Sequence, residues 1–526
     1  MVDFRAAARW GDPADAVALP AAVRSLLATA LGVRTPPPAP TPAADPAAGL
    51  PVSGLGQPAL AALRDACGDV RTDDAARLTH AAGRSTVDLL RLRTGDASGA
   101  PDAVVRPADH HEVVAVLRAC AAHGLAAVPF GGGTSVVGGL RPRRNGYAGV
   151  VAVDLARLDR LIGVDPVSRT ATFQAGVRAP RAEELLAGHG LTLGHFPQSY
   201  EFATLGGFAA TRSSGQASAG YGRFDQLVLG LRAATPAGTL DLGRAPASAA
   251  GPDLRQLLLG SEGAFGVITE LTLQVRPAPA DRRYAGWAFP SFGDGVDALR
   301  ALAQDGPLPT VLRLSDETET AVGAATGGPD TGVGCLAIVG FEGAVADVSA
   351  RRAATESVLR ERGATPLGAD PGIAWERDRF RAPYLRDALL DAGAIVETLE
   401  TATFWRRLPD TRAAVAAALV ASLSAAGTPP LVMCHVSHVY PSGASLYFTV
   451  VAAQAGDPVG QWETAKAAAG DAIVAAGATI SHHHGVGRDH LRWYADEIGP
   501  AGVLALRAVK RALDPDGVLN PGILVP

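Results

Sequence analysis

Apolar residues along this chain switch between helical and strand spacing, and glycines and prolines separate the two kinds of segment. In residues 110–123 apolar side chains recur every three or four positions, and Gly124 follows as a residue that commonly ends a helix. Short apolar runs predict strands at 125–130, 149–155 and 267–275. Alternating apolar residues around Pro236-Ala237-Gly238 predict a hairpin over 226–242. The pattern therefore predicts an α+β protein.

Breaks in this pattern divide the chain into four parts, as a length of 526 residues requires more than one core. Residues 1–95 form a helical region with a Pro- and Ala-rich linker at 35–48. Residues 96–278 form a first domain, which ends at a pair of prolines. From 279 to 490, strand-like runs alternate with alanine-rich helices, and residues 491–526 form a helical tail.

Composition excludes several classes of protein. Apolar residues make up 48% and charged residues 19%, which is typical of a globular chain, and the net charge of −5 argues against a nucleic-acid partner. The four cysteines are scattered, which indicates neither a zinc site nor a disulfide framework. The most apolar stretch, 414–427, is shorter than the roughly 20 residues that a membrane span needs. We expect buried free thiols and a cytoplasmic protein.

A glycine run directly follows the strand predicted at 125–130. Residues 131–135 read Gly-Gly-Gly-Thr-Ser, and the residues after them read as a loop instead of the helix that a Rossmann fingerprint requires. Successive amides in such a run can cradle a phosphate, because glycine lets the backbone approach closely. A surface loop without a ligand is the alternative that the run alone leaves open.

Five runs in order resemble the vanillyl-alcohol oxidase/p-cresol methylhydroxylase (PCMH) superfamily of flavoproteins. They are Pro129–Ser135, Gln198–Gly207, Thr211–Gly215, Leu259–Thr269 and Leu519–Gly522. The resemblance implies a PCMH-type FAD-binding domain of two α+β subdomains at 96–278. It also implies an α/β cap domain at 279–490 and a return of residues 491–526 to the FAD domain.

The resemblance also implies how FAD is held. Some members bond the flavin to a histidine of the glycine loop, and Thr134 stands at that position here, so the expected cofactor is non-covalent FAD. The residues that the resemblance assigns to FAD binding are Pro129, Phe130, Gly131, Gly132, Gly133, Thr134, Ser135, Gln198, Ser199, Glu201, Thr204, Gly206, Thr211, Arg212, Ser213, Ser214, Glu262, Gly263, Gly266, Val267, Ile268 and Asn520.

The C-terminal half is similar to the alkylglycerone-phosphate synthases within that superfamily. The similarity implies exchange of the acyl chain of acyl-dihydroxyacetone phosphate for a fatty alcohol through a flavin N5 adduct, a step in ether lipid synthesis. It assigns Arg386 to substrate binding. The residues that it assigns to catalysis are Arg313, Tyr447, His482, His483 and His484. Histidine suits proton transfer near neutral pH, tyrosine does so only with a lowered pKa, and arginine suits phosphate.

Each of these residues has a plainer interpretation. Treated as part of a strand, His482–His484 would alternate between faces and could not share one metal ion, so no metal site is predicted. Tyr447 could be a packing residue between Leu446 and Phe448. A buried Arg313 needs a partner, which could be Asp316, Glu317 or a substrate phosphate. Arg386 could form a surface ion pair with Asp387.

Two other functions stay open at this point. One is an FAD-linked dehydrogenase or oxidase of a D-2-hydroxy acid such as lactate or glycolate, although the metal-binding motif typical of those enzymes is missing from the sequence. The other is a flavin-binding protein without turnover. A small-molecule or lipid substrate is expected, and the sequence leaves open a homodimer and a peripheral contact with a membrane.

Overall fold

The computed structural model describes residues 8–11, 13–33, 49–326 and 334–526. The linker predicted at 35–48 lies outside these ranges. Strands and helices are mixed along the whole of the described chain, which confirms the α+β prediction. The four cysteines are buried and unpaired, as expected.

The first sheet of the N-terminal half carries the glycine run at the end of one of its strands. Its four strands are β1 (Val70–Arg71), β2 (Ala103–Val105), β3 (Leu125–Phe130) and β4 (Gly149–Asp154), in the order β1-β2-β4-β3. β2, β4 and β3 run parallel, whereas β1 is antiparallel to β2. The sheet therefore uses an edge strand from the region before residue 96.

A second, antiparallel sheet completes this half of the molecule. Its strands are β5 (Leu161–Asp165), β6 (Thr170–Gln174), β8 (Val228–Thr235), β9 (Gly238–Leu242) and β10 (Val267–Gln274), in the order β5-β6-β10-β8-β9. A short pair, β7 (Leu191–Thr192) and β11 (Arg276–Pro277), lies beside it. The hairpin predicted over 226–242 is β8–β9, and one apolar core joins both sheets.

The C-terminal tail packs against the first sheet. Leu519 forms a parallel bridge to Ala127 of β3, and the amide of Asn520 donates to the carbonyl of Ala127 at 2.8 Å. The carboxylate of Asp514 closes the preceding turn by accepting from the amides of Val518 and Leu519. Residues near the end of the chain therefore contact the domain that carries the glycine run.

The second half is built on one seven-stranded antiparallel sheet. Its strands are β12 (Asp281–Phe289), β13 (Val311–Ser315), β14 (Cys335–Gly343), β15 (Thr365–Gly368), β16 (Ala394–Phe404), β17 (Leu431–Tyr440) and β18 (Gly443–Ala453), in the order β15-β12-β14-β13-β17-β18-β16. Four long helices, Phe292–Asp305, Val345–Glu361, Leu408–Ala425 and Pro458–Ala475, belong to the same half.

The two faces of this sheet differ because side chains alternate along a strand. Leu312, Leu314, Leu446 and Phe448 point into a core that is shared with the long helices. The residues between them point to the opposite face, toward the N-terminal half. The predicted site residues Arg313 and Tyr447 lie on that opposite face, where they line a cavity.

The remaining helices lie before, between and after these strands, and one of them, His110–His123, has the predicted bounds. They are Ala21–Ala30, Gln57–Ala66, Asp74–Thr79, Thr86–Arg93, His110–His123, Ala179–Ala187, Leu205–Thr211, Ser218–Tyr221, Phe224–Leu227, Arg255–Leu258, Glu317–Ala325, Asp370–Asp378, Ala382–Asp391 and Leu491–Leu513, together with 3₁₀ turns at Pro13–Asp15, Leu155–Arg157 and Trp405–Arg407. The last helix begins at Leu491, the residue at which the helical tail was predicted to begin, and Gly499 with Pro500 interrupts it.

The helix Leu408–Ala425 contains most of the alanine-rich stretch 414–427, so the prediction of a helix there is confirmed. Among the helices of the described ranges, none combines the length and the apolar character that crossing a bilayer requires.

Candidate functional site

A cavity of about 650 Å³ lies between the loops of the N-terminal half and the seven-stranded sheet. The glycine run and the loops at 197–214 and 262–268 line one part of it. Side chains from β13, β16, β17 and β18 line another part. The site is therefore shared between the two halves of the chain.

The glycine run forms a close-packed wall of this cavity. A Cβ atom on Gly132 would lie 2.1 Å from the carbonyl oxygen of Phe202, and one on Gly131 would lie 2.5 Å from Oγ1 of Thr204. Gly133 has a positive φ of 69°, which side chains disfavour. Only glycine therefore lets this backbone lie so close to the neighbouring loop.

Most residues predicted to bind FAD line the cavity. These are Pro129, Phe130, Gly131, Gly132, Gly133, Thr134, Ser135, Gln198, Ser199, Thr204, Gly206, Thr211, Ser213, Ser214, Glu262, Gly263, Gly266 and Ile268. The other four, Glu201, Arg212, Val267 and Asn520, are not among its lining residues.

Three of these four have contacts that explain their position. The guanidinium of Arg212 donates to the carbonyls of Leu259 and Gln256. Glu201 accepts from the hydroxyl of Tyr384 at 3.0 Å. Val267 is buried at the start of β10. In this structure these residues tie loops together, and their assignment to FAD stays a prediction.

Buried polar atoms beside the glycine run fit a polar ligand. Nε2 of Gln198 and Oγ of Ser214 are buried and have no hydrogen-bond partner among the described residues. Leaving such atoms unpaired is costly, so a ligand that offers oxygen acceptors would satisfy them. Together with the close-packed glycine backbone, these atoms fit the diphosphate and ring edges of FAD.

Arg386 reaches the cavity from the helix Ala382–Asp391. Its Nη1 donates to the carbonyl of Arg84 at 2.8 Å, whereas Nε and Nη2 are buried without a hydrogen-bond partner in the described part of the chain. The ion pair with Asp387 that the sequence left open is not formed, because Asp387 pairs with Arg93 at 3.1 Å. Two donors of Arg386 are therefore available for an anion.

Arg313 is paired, but with neither of the acidic residues that the sequence suggested. Its Nη2 lies 2.5 Å from Oε1 of Glu319, because the helix Glu317–Ala325 turns this carboxylate back over the strand. Burial opposes ionisation of Glu319, yet His435 and Arg313 beside it lower its pKa to about 2. The charge of Arg313 is thus balanced within the protein. Asp316 and Glu317 pair with Arg412 instead.

Tyr447 lies at the centre of the cavity wall. His435 is its direct partner on β17, and the two rings stack at 4.9 Å between centroids with an 18° angle between planes. Burial raises the pKa of Tyr447 to about 12. The lowered pKa that a proton-accepting tyrosine needs is therefore not found, and the phenol is neutral at pH 7.

The histidine run does not form a strand, contrary to the expectation from sequence. Residues 481–487 form a loop, and the amides of His482, His483 and His484 all donate to the carboxylate of Glu400, at 2.7, 3.0 and 2.9 Å. The hydroxyl of Ser481 also donates to it, at 2.8 Å. In the sequence, the one signal that points to Glu400 is its charge within the largely buried strand β16.

The imidazoles of this loop are turned to different surroundings. His483 and His484 line the cavity, with ring centroids 6.1 and 5.7 Å from that of Tyr447. Burial lowers the pKa of each to about 4, so both are neutral and can accept a proton near pH 7. His482 is buried behind them, where its Nε2 lies 2.6 Å from the hydroxyl of Tyr440.

The three consecutive histidines do not gather around one point, but His482 and His483 come close to His438 of β17. The facing nitrogens of these three side chains lie within 4.8 Å of one another. Nδ1 of His482 and Nδ1 of His483 form a hydrogen bond of 3.0 Å, and Nε2 of His438 lies 3.0 Å from the carbonyl of Gly215. The expectation of no metal here stays a prediction.

The far end of the loop is attached to the N-terminal half. The carboxylate of Glu262 accepts from the amides of Val486 and Gly487, at 2.9 and 2.8 Å. The side-chain amide of Asn520 donates to the carbonyls of Gly139 and Glu262. Two residues that the resemblance assigned to FAD binding therefore also connect the glycine-run loop, the histidine loop and the tail.

Beyond the polar residues, the cavity continues as an apolar arm. Its wall is formed by one side of the helix Ala21–Ala30, by the helix Ala382–Asp391 and by the ends of three strands of the large sheet. Its apolar lining residues are Val23, Leu26, Leu27, Leu31, Val322, Leu385, Leu389, Val396, Leu431, Met433 and Val451. Most of these side chains also pack against one another as one hydrophobic cluster, so the cavity has an apolar wall on this side, which favours a ligand with an apolar part.

Two family models match the chain. The model of an FAD binding domain matches residues 101–242, and that of the FAD linked oxidases, C-terminal domain, matches residues 278–524. The alkyldihydroxyacetonephosphate synthase of Dictyostelium discoideum is 33% identical over 480 residues, which cover 87% of this chain and 78% of that protein. The synthase of Trypanosoma brucei brucei is 34% identical over 508 residues, which cover 91% and 82%.

Solved structures agree with this result. A structure of alkyldihydroxyacetonephosphate synthase superimposes with a TM-score of 0.81 at 30% identity and covers 95% of this chain and 92% of its own. That of p-cresol methylhydroxylase, with substrate bound, superimposes with a TM-score of 0.67 at 17% identity and covers 90% and 98%. The second likeness shows the fold alone.

The fold and the cavity define a flavoprotein of the PCMH type, an enzyme whose cofactor is FAD. Within that class, the chain belongs to the family of alkyldihydroxyacetonephosphate synthases.

We expect Gly132→Ala to weaken FAD retention by about tenfold or more, which corresponds to roughly 1.4 kcal/mol. The added Cβ would meet the carbonyl of Phe202 at 2.1 Å and displace the loop. The measurement is the ratio of flavin to protein absorbance after purification and dialysis. Gly163→Ala is the control, because nothing lies within 4 Å of its added Cβ. Equal flavin content in both variants would contradict the assignment of this loop.

The buried histidines predict a loss of stability in acid. Burial lowers the pKa of His195 and of His438 to about 3, and that of His483 and of His484 to about 4. The unfolded chain binds protons at these positions below about pH 6.5, whereas the folded chain does not. These histidines should therefore lower the free energy of unfolding as the pH decreases from about 6.5 to 4. The raised pKa of Glu262, about 7, acts in the opposite direction over the same range, but one carboxylate offsets only part of the effect of four histidines.

Thermal unfolding between pH 7.5 and 4.5 measures this effect. His438→Gln removes one buried imidazole and should weaken the pH dependence, whereas His111→Gln changes an exposed one and should leave it unaltered. A melting temperature that does not vary over this pH range would contradict the predicted loss of stability in acid.

Proposed function

We propose that this protein is an FAD-dependent alkyldihydroxyacetonephosphate synthase. It would replace the acyl chain of acyl-dihydroxyacetone phosphate by a fatty alcohol and form an ether bond. The observation that carries the proposal is that one cavity is lined both by Arg386, Tyr447 and the histidine loop and by the residues of the apolar arm. A phosphate ester with a long acyl chain has this same distribution of polar and apolar parts.

Arg386 is the residue best suited to hold the phosphate. Its Nε and Nη2 are buried and lack protein partners among the described residues, and arginine binds phosphate oxygens in pairs. Arg313 is less suited, because Glu319 already balances its charge at 2.5 Å. We assign to Arg313 the role of fixing Glu319 and His435 beneath Tyr447, a role that supports the reaction without direct contact with the phosphate.

The exchange requires proton transfers at neutral pH. One proton leaves the substrate carbon and is later replaced by another, so this carbon again carries two hydrogens in the ether. The acyl chain departs as a carboxylate, and the alcohol loses its own proton as its oxygen forms the ether bond. When bound, FAD supplies a nucleophilic ring nitrogen, and the overall exchange involves no net oxidation. His483 and His484 are neutral and line the cavity, so they can accept these protons, and the Tyr447 hydroxyl can donate a hydrogen bond to the departing oxygen.

Non-covalent binding of FAD is part of the proposal. Thr134 lies in the wall of the cavity at the position where some superfamily members carry a flavin-linked histidine. A threonine hydroxyl does not form such a bond to the flavin ring. Denaturation with acid should therefore release all of the yellow colour from the protein.

The function is tested by offering both candidate substrates to the purified holoenzyme. With palmitoyl-dihydroxyacetone phosphate and hexadecanol we expect an ether product and free palmitate, detected by mass spectrometry, in equal amounts. D-lactate or glycolate should leave the flavin absorbance near 450 nm unchanged. Loss of the flavin absorbance on addition of a hydroxy acid, without alkyl exchange, would contradict the proposal and favour a D-2-hydroxy acid dehydrogenase.

Arg386→Lys should raise KM for the acyl substrate by about 10- to 100-fold. The planar guanidinium can bind two phosphate oxygens at once, whereas the lysine ammonium cannot reproduce that paired geometry. Steady-state kinetics at several substrate concentrations measure this effect. Arg381→Lys is the control, since Arg381 directly precedes the same helix and is exposed. A KM that is equal in both variants would remove Arg386 from the phosphate site.

The apolar arm also supports a lipid substrate that arrives from a membrane surface, so a peripheral membrane contact remains part of the proposal. The cytoplasmic location and the homodimer stay predictions. Co-sedimentation with phospholipid vesicles would test the membrane contact, and the mass of the protein in solution would test the homodimer.

A further inference from the structure

The loop 481–487 carries His483 and His484 into the cavity, yet it has no regular secondary structure. Loops of this kind need specific contacts to hold one geometry. The contacts that this loop makes at its histidines converge on one side chain, Glu400 of β16.

Glu400 is fully enclosed, with 0% of its side chain exposed. Its Oε1 accepts from the hydroxyl of Ser481 and from the amides of His483 and His484, and its Oε2 accepts from the amide of His482. Three successive amides on one carboxylate form an anion-binding nest in which the anion belongs to the protein itself. Removing the carboxylate would leave these donors buried without an acceptor.

The position of Glu400 in the sheet gives these bonds a consequence for the site. Glu400 lies directly opposite Tyr447 in the register of β16 and β18. The same carboxylate that holds the histidine amides is therefore a rigid neighbour of Tyr447. The separation between Tyr447 and the rings of His483 and His484 is set through one side chain.

We propose that Glu400 is a positioning residue, which fixes the histidine loop over Tyr447 so that the proton-transfer groups keep one geometry. The kinetic part of this inference rests on the proposed function, whereas the structural part does not. Glu400 itself does not line the cavity, so it would act through the histidines that it holds.

The test compares Glu400→Gln with a matched loss of another buried carboxylate. Glutamine keeps the size of the side chain but replaces one acceptor oxygen by a donor, so at least one loop amide loses its partner. Glu342 of β14 is the control, because it is buried in the same domain, accepts from the hydroxyls of Tyr221 and Tyr284, and lies away from the cavity. Glu342→Gln removes a comparable charge without touching the histidine loop.

Hydrogen exchange of the holoenzyme, followed by mass spectrometry, reads the geometry without any substrate. We expect peptides that cover 481–487 to exchange about tenfold faster in Glu400→Gln and at the wild-type rate in Glu342→Gln. Unchanged exchange at these amides in Glu400→Gln would overturn the proposal. If the wild type shows no alkyl exchange, the proposed function fails while this measurement still decides the role of Glu400.

Kinetics supply the second measurement. A shift of the catalytic groups by about 1 Å costs up to roughly 100-fold, so kcat of Glu400→Gln should fall about 10- to 100-fold. KM should stay within about twofold because Arg386 is unaltered, and flavin content should stay at the wild-type level. Glu400→Asp keeps the charge and should recover part of kcat. If Glu400→Gln does not fold, Glu400→Asp takes its place in both the exchange and the kinetic measurements. An equal fall of kcat in Glu342→Gln, or loss of FAD from the Glu400 variants, would show that Glu400 only supports the fold.

Discussion

Two buried carboxylates, one from each half of the chain, hold the loop that carries His483 and His484 into the cavity. Glu400 accepts hydrogen bonds from three backbone amides at the start of the loop 481–487, and Glu262 accepts them from two amides at its end. A carboxylate enclosed in this way is tolerated only when its acceptor sites are filled, so the loop and the two acids require one another. The relative position of the flavin-binding loops and the large sheet depends on these bonds.

The pKa values of the two acids differ for a physical reason. Burial opposes ionisation of both, but the histidines around Glu400 and the amides that donate to it hold its pKa well below the usual range. Burial raises the pKa of Glu262 to about 7, since the amides of Val486 and Gly487 offset only part of the effect. Glu400 therefore stays ionised across the neutral pH range, and so the hydrogen bonds that attach the loop to the seven-stranded sheet do not change there.

Much of this architecture could be predicted from the sequence, because it follows from local rules. The helix His110–His123 and the strand Leu125–Phe130 have the predicted bounds, since their apolar spacing and the glycines after them are local signals. Alternation along β13 and β18 likewise places Arg313 and Tyr447 opposite the helix-packed core. The five ordered runs identified the superfamily, which no periodicity could have done.

What could not be predicted depends on contacts between segments distant in the sequence. The histidines were treated as a strand because nothing local shows that Glu400, more than 80 residues earlier, captures their amides. The partner of Arg313 is Glu319 and not its nearer neighbours, because the helix that begins at Glu317 directs those neighbours toward Arg412. His435 was missed since it contacts Tyr447 only across two paired strands.

These contacts also decide how charge is distributed in the cavity. Arg313 and Glu319 cancel one another, and His435, His483 and His484 are neutral at pH 7. Arg386 lines the cavity and forms no ion pair with any carboxylate in the described ranges, so its positive charge is available to an incoming ligand. An anionic head group is thus attracted to the helix Ala382–Asp391, the same helix whose Leu385 and Leu389 line the apolar arm. In the proposed function, a single helix would therefore orient an amphipathic substrate, because its charged and apolar residues would fix the head and the chain relative to Tyr447.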